Sequence, residues 1–333
     1  MLEYLTVAQF HSSSRRRQSL KKNNELFYTL LLTLAALIWG SAFVAQSVGA
    51  GYVGPLTFLA ARSWIGFILM VLLLRLQKIF PALRDTHVPA GKDALSRRTK
   101  LLGGMICGVF LFAASWAQQA GIAYTTTAKA GFITTMYVVI VPILSVFLRK
   151  KVPARIWFCV LLSVTGLYLL SMQGGFYLEK GDSLVLLCAF LFAFQILAVN
   201  RYAPLMNGIL LTCFEFFAEA LLSTVFMFIF ETPALSSLQM AFWSILYAGV
   251  MSSGIAYTLQ VITQKHLDPT IASLIMSLES VFAALTGWLI LHQTLSLREL
   301  SGCALMFVSI LLSQLPAPEK KRKEQAAEAE SGT

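Results

Sequence analysis

Residues 127–171 read TAKAGFITTMYVVIVPILSVFLRKKVPARIWFCVLLSVTGLYLLS. Two apolar runs, Thr127 to Leu148 and Pro153 to Ser171, flank one short basic gap of Arg149, Lys150 and Lys151, with Arg155 at its margin. A helix of ~20 residues rising ~1.5 Å each covers a hydrocarbon core of ~30 Å, and within one segment only a helix satisfies its own backbone polar groups. The stretch predicts two membrane helices joined on one side of a bilayer.

The same pattern extends in both directions. The other predicted spans are Phe27 to Ser47, Pro55 to Leu74, Leu101 to Ala123, Ser183 to Val199, Ile209 to Phe230, Met240 to Ile262, Pro269 to Leu291 and Ser296 to Leu315. Of the 26 Lys and Arg, 22 lie in alternate gaps: the N-terminal tail from Arg15 to Lys22, the loop from Arg75 to Lys100, the gap quoted above, Arg201, Lys265, and the tail from Lys320 to Lys323. Basic loops stay in the cytoplasm. The opposite gaps hold Lys180, with Arg298 close by. The expectation is an all-α membrane protein of ten transmembrane helices, multi-pass in the plasma (inner) membrane, with both termini cytoplasmic.

Composition narrows the function classes. Of 333 residues, 57% are hydrophobic and 13% charged, too little polar sequence for a separate soluble domain. The net charge of +10 is spread over short loops, so it reads as topology and contact with membrane lipid, and nucleic acid is not an expected partner. The apolar run after the basic N-terminus is long for a signal peptide, so the first span is expected to be retained. The five cysteines, Cys107, Cys159, Cys188, Cys213 and Cys303, all fall inside spans and read as small packing residues. His11, His87, His266 and His292 are scattered, so neither a metal site nor any cofactor is expected. Gly49-Ala50-Gly51-Tyr52-Val53-Gly54 fits G-x-G-x-x-G, but it lies in a predicted external loop with no strand before it and reads as a false match to a nucleotide fingerprint.

Sliding the chain along itself by 142 positions sets Gln118 on Gln260, Ala130 on Ala272, Ile133 on Ile275, Val139 on Val281, Leu169 on Leu311 and Ser171 on Ser313, without a gap across three spans. Each half holds five spans, and an odd number makes the second half enter the membrane in the opposite sense. That is an inverted repeat, a plan common in secondary transporters, which bind substrate between the halves. The predicted organisation is a basic cytoplasmic tail over 1–26, a five-helix repeat over 27–171, an external linker over 172–182, a second five-helix repeat over 183–315 and a cytoplasmic tail over 316–333.

Several local motifs strengthen this reading. Trp39-Gly40-Ser41-Ala42-Phe43 in the first span, Pro55 followed by Arg62 in the second, Thr125-Thr126-Thr127-Ala128-Lys129-Ala130-Gly131 entering the fourth and Ser277-Leu278-Glu279 in the ninth occur in this order. The chain resembles the EamA group of the drug/metabolite transporter superfamily over about Phe27 to Leu315. It differs at Ser280, where the family often has proline, and at His292-Gln293, where it often has Gly-Glu. The resemblance implies export of an amino acid or related small metabolite.

Charges inside the spans nominate a site. Each costs ~2.5 to 3.5 kcal/mol at the bilayer centre on insertion scales, so Arg62, Lys129, Glu215, Glu219 and Glu279 should face protein or water. Glu279 lies near the midplane, opposite Tyr137 at the repeat offset. It is the leading candidate for a substrate or proton site, the alternative being a buried acid bonded to a neighbouring helix. Glu215 and Glu219 share a face and would repel if both were charged. Arg62 could hold an anionic group or brace helices, and Lys129 can snorkel to the external surface. Ser253, Tyr257, Gln260 and Gln264 form a polar stripe on the eighth span, with Ser115 and Gln118 as repeat counterparts of Tyr257 and Gln260. Trp39, Trp116 and Tyr137 are candidate aromatic walls, though aromatics also simply pack helices. Gly104 and Gly108 form G-x-x-x-G and read as a close helix contact.

Taken together, the substrate-binding set is Trp39, Arg62, Trp116, Gln118, Tyr137, Glu215, Tyr257, Gln260 and Glu279, acting on a small-molecule substrate by alternating access. An uptake carrier, a channel and an intramembrane enzyme remain the alternatives. No nucleophile and base pair supports the enzyme.

Overall fold

Helices fill nearly all of the described chain in a computed structural model, which covers the backbone of residues 2–80, 96–124, 127–171, 180–291, 296–313 and 315, and the side chains from residue 25 onward except at 81–95, 125–129, 170–179, 291–295, 314 and 316–333. The order is α1 (Leu2–Ala50), α2 (Pro55–Ile79), α3 (Arg97–Ile122), α4 (Thr127–Thr134), α5 (Tyr137–Phe147), α6 (Ala154–Ser171) and α7 (Lys180–Tyr202). It continues with α8 (Gly208–Phe230), α9 (Leu235–Met240), α10 (Phe242–Tyr247), α11 (Tyr257–Gln264), α12 (Pro269–Met276), α13 (Leu278–Leu291) and α14 (Leu297–Ser313). No strand occurs among the described residues. Eight segments there are long and apolar enough to cross a membrane, residues 154–169 of α6 form a shorter apolar helix, and α14 has 17 residues. The linker at 172–179, the basic residues at 84–92, His292-Gln293, the tail at 316–333 and the Lys129 side chain lie outside what is described.

Local chemistry sets the helix starts. Ser96, Asn207 and Asp268 cap α3, α8 and α12 by accepting from the N–H groups of Thr99, Leu210 and Thr270. Pro55 and Pro269 occupy first-turn positions where no N–H is needed. At α14, Ser296 and Glu299 form a reciprocal capping box: Ser296 N donates to Glu299 Oε2 at 2.6 Å, and Glu299 N donates to Ser296 Oγ at 3.3 Å. Glu299 therefore serves the helix end rather than the membrane interior.

The fourth, eighth and ninth spans, each expected as one helix, are interrupted. α4 gives way to α5 at Thr135-Met136 and α12 to α13 at Ser277. Neither break contains Gly or Pro. At each the ladder tightens locally to i→i−3 bonds, Met136 N to Ile133 O and Ser280 N to Ser277 O, beside hydroxyls of Thr135 and Ser277 that donate to carbonyls of the preceding turn. The eighth span becomes a π-helix over Ala248–Ala256, where Tyr257 N donates to Ser252 O. An i to i+5 ladder shifts the helix face by about one residue. Ser252, rather than the expected Ser253, consequently joins the face of Tyr257.

Two antiparallel pairs bring together helices from the two halves of the sequence at equivalent places in each half. α2 and α8 are joined along their length: Glu231, just past α8, meets the N-terminus of α2, Ser63 binds Glu219, Trp64 binds Thr224, and Gln77 accepts from Asn207. α6 and α14 pair through Ser163 and Ser309 at 2.8 Å, with Arg155 reaching the carbonyls of Ser313 and Leu315. Glycines allow the closest approaches. A Cβ on Gly108 would sit 2.5 Å from Ala218 Cβ, and one on Gly104 2.3 Å from Phe214 Cβ, so the G-x-x-x-G of α3 is a seat for α8. The outer surface carries exposed apolar side chains such as Leu34, Ile68, Leu72, Phe190 and Phe228, as a hydrocarbon solvent requires. All five cysteines are buried and free.

Candidate functional site

The interruptions place polar groups in the centre of the bundle. A narrow cavity of about 30 Å³ lies there, and its walls come from α1 (Trp39, Phe43, Gln46), α2 (Arg62), α3 (Gln118), α5 (Tyr137) and α7 (Phe192, Gln195, Ile196). Ser252, Tyr257, Gln260, Met276 and Glu279 close the other side.

Glu279 stands in the first turn of α13, just beyond the break. Tyr137, in the first turn of α5, donates its hydroxyl hydrogen to Glu279 Oε1 at 3.1 Å. The partners are 142 positions apart in sequence, the repeat offset itself. Beside them Ser280 Oγ donates to Gly131 O at 2.9 Å and lies 3.0 Å from Thr135 Oγ1, joining the two broken helices to each other. Gln118 and Gln260, also repeat counterparts, both line the cavity. Trp39 packs edge-on against Tyr257 with centroids 4.9 Å apart, and Phe216 packs edge-on against the same ring at 5.4 Å.

Behind this wall lie the acids of α8. Arg62 Nη2 is 3.8 Å from Glu219 Oε1, an ion pair without hydrogen-bond geometry, and Ser63 Oγ donates to Glu219 Oε2 at 2.9 Å. Glu215 accepts from Gln195 Nε2 at 2.7 Å, and Gln195 in turn accepts from Gln260 Nε2 at 3.1 Å. These bonds limit the cost of burying charge and amide groups away from water. Several buried atoms remain without partners, including Trp39 Nε1, Arg62 Nε, Glu215 Oε2 and Gln260 Oε1. Each unmet group costs about 1–3 kcal/mol in a finished core, which makes these atoms candidates for contact with a solute or water.

Of the nine sequence-nominated residues, Trp39, Arg62, Gln118, Tyr137, Tyr257, Gln260 and Glu279 come together around the cavity. Glu215 is fully buried but sits one residue behind the lining, and Trp116, 36% exposed, lies on the outer side of α3. Gln264 is buried outside the lining, and Ser253 packs on Gly66. Sequence reasoning missed Gln46 and Gln195. Gln260 was found through its polar stripe and Gln118 through the repeat offset, and neither signal marks Gln46 or Gln195.

The G-x-G-x-x-G segment has a structural explanation. Leu56 N and Thr57 N each donate to a Glu231 carboxyl oxygen at 2.8 Å, and Thr57 Oγ1 donates at 2.6 Å, so a carboxylate already occupies the α2 N-terminus that a phosphate would need. A Cβ on Gly54 would lie 2.4 Å from that carboxyl carbon. Glycine makes room for the cap.

Comparison with known proteins agrees with this architecture. The EamA-like transporter family model matches twice, over residues 26–172 and 179–315. An uncharacterized transporter of Archaeoglobus fulgidus is 30% identical over 291 residues, 87% of this chain and 86% of that protein. The uncharacterized transporter YoaV of Bacillus subtilis is 22% identical over 291 residues, 86% of this chain and 96% of its own length. A solved crystal structure superposes with a TM-score of 0.70 at 20% identity, covering 87% of this chain and 99% of the other, a likeness of fold. With two family matches spanning the described bundle, and a relative at this level of identity along most of both chains, the protein belongs to the EamA-like transporter family.

Proposed function

We propose that this multi-pass membrane transporter is a secondary carrier that exports amino acids or related small metabolites by alternating access. Ten transmembrane helices form two inverted five-helix repeats, 27–171 and 183–315, linked outside at 172–182, in the plasma (inner) membrane with both termini cytoplasmic. The observation that carries the reading is the bond of Tyr137 to Glu279, residues 142 apart. Equivalent positions touch when they straddle the axis relating two repeats, and an axis in the membrane plane pairs equivalent helices antiparallel, as α2 with α8 and α6 with α14. The double family match supports the division into halves. The direction, export, rests on the family resemblance.

Substrate binds in the central cavity, against Trp39, Arg62, Gln118, Tyr137, Tyr257, Gln260 and Glu279. Alternating access requires the halves to part toward one side at a time to admit and release solute. Counterflow of labelled amino acids and small metabolites in proteoliposomes tests the function. Saturable exchange is expected. Flux that never saturates would replace the carrier with a channel, and chemical conversion of the solute would replace it with an enzyme. Gln260→Ala is expected to weaken apparent affinity several-fold while the yield of folded protein holds. Unchanged affinity across transported solutes would remove Gln260 from the site.

A further inference from the structure

The amides around the cavity are oriented by an acid that does not reach it. An ionised Glu215 only accepts hydrogen bonds, and Gln195 presents its NH₂ to Glu215 Oε1 at 2.7 Å, the orientation a carboxylate requires. That leaves Gln195 Oε1 to face Gln260 at 3.1 Å, and Gln260 must answer with its own NH₂. Gln260 is left with its carbonyl oxygen, buried, without a partner, and belonging to a residue of the cavity wall. Turning Gln195 over would set an oxygen against the Glu215 carboxyl oxygen and NH₂ against NH₂ at Gln260. Turning Gln260 over alone would set oxygen against oxygen. With Glu215 ionised, the chain of bonds has one consistent polarity, set at Glu215.

We propose that Glu215 is a positioning residue which, through Gln195, holds the Gln260 side-chain oxygen as an acceptor for an N–H group of the transported solute. The carrier therefore selects solutes with an N–H donor over isosteres that lack one. Trp39 Nε1 and Arg62 Nε, the unpartnered N–H donors of the wall, call for an oxygen acceptor elsewhere on the same solute. This inference rests on the transport reading of the same cavity and adds the chemical group that it recognises. A site built around a hydrogen bond rejects the analogue that cannot make it, because the protein atom is left unpaired.

The test uses the full chain in proteoliposomes and measures competition and counterflow with matched probes, leucine with 4-methylpentanoate and phenylalanine with 3-phenylpropanoate. The amine member of a pair should bind at least tenfold more tightly. Glu215→Leu and Gln195→Leu should each reduce that ratio to within about threefold. Glu215→Gln keeps an oxygen for Gln195 to bond and should recover most of the ratio lost in Glu215→Leu. A merely structural role would weaken both members of a pair together and leave the ratio intact. Should Glu215→Leu fail to fold, Gln195→Leu reports on the same link. A wild-type ratio near one, or a ratio that survives in Gln195→Leu, overturns the proposal and leaves transport standing. Folded protein that exchanges neither these probes nor any other labelled amino acid or small metabolite overturns both.

Discussion

Glu279 couples two features: a carboxyl group near the middle of a membrane span and a bond to the residue 142 positions away, its counterpart at the repeat offset. A carboxyl with so little water around it must be protonated, paired or hydrated, and a change among those states would alter how the halves meet. Glu279→Gln is expected to retain the fold, because the amide keeps an oxygen for Tyr137, and to retain solute binding. Accumulation driven by an imposed pH gradient should be lost, because the amide cannot carry a proton. Accumulation at the wild-type level in that variant would refute the coupling role. Charged and amide residues were legible in the sequence because hydrocarbon penalises them wherever they sit. Which of them lines the cavity was not: Glu215 and Gln260 differ by one relay step, and pattern reasoning sees residue type rather than the partner a side chain finds. Trp116 illustrates the same limit, since an aromatic ring suits a cavity wall and an outer helix face equally.

The helices were legible as spans but not as broken spans. Neither Thr134-Thr135-Met136 nor Met276-Ser277-Leu278 contains a Pro or Gly breaker, so residue type at these positions gave no signal of an interruption. The π-helix was hidden for a related reason, since its residues also fit an ordinary α-helical period. Close packing at this level is testable at Gly40 of α1, where an added Cβ would fall 2.5 Å from Phe282 Cβ and 2.7 Å from the backbone of Ala283 on α13. Gly40→Ala should destabilise the purified protein by about 1–3 kcal/mol, read as a lower melting temperature. Gly131→Ala is the matched control. Its nearest neighbours would lie at 3.8 Å and beyond, so its melting temperature should stay close to wild type. Equal melting temperatures for both variants would contradict the tight α1 and α13 contact.

At the scale of the whole molecule, hydropathy and alternating charge carried most of the information, because bilayer thickness and the placement of basic loops act on every span alike. The proposed orientation predicts that cysteine introduced at Tyr52 or Ala234 reacts with a membrane-impermeant reagent from outside, and that cysteine at Arg149 does not. The five native cysteines are buried and should give little background. Labelling of Arg149→Cys in intact cells would reverse or abolish the proposed topology. The pairing of α2 with α8 and of α6 with α14 has a consequence for how the chain can be made. Each pair takes one helix from either side of the segment 172–179, and Glu231 closes on the first turn of α2 across the same divide. Cohesion between the two parts is therefore supplied by side chains all along their shared surface, with no need for the peptide link. Two separately expressed polypeptides cut within 172–179 should find each other in the membrane and co-purify as an active carrier.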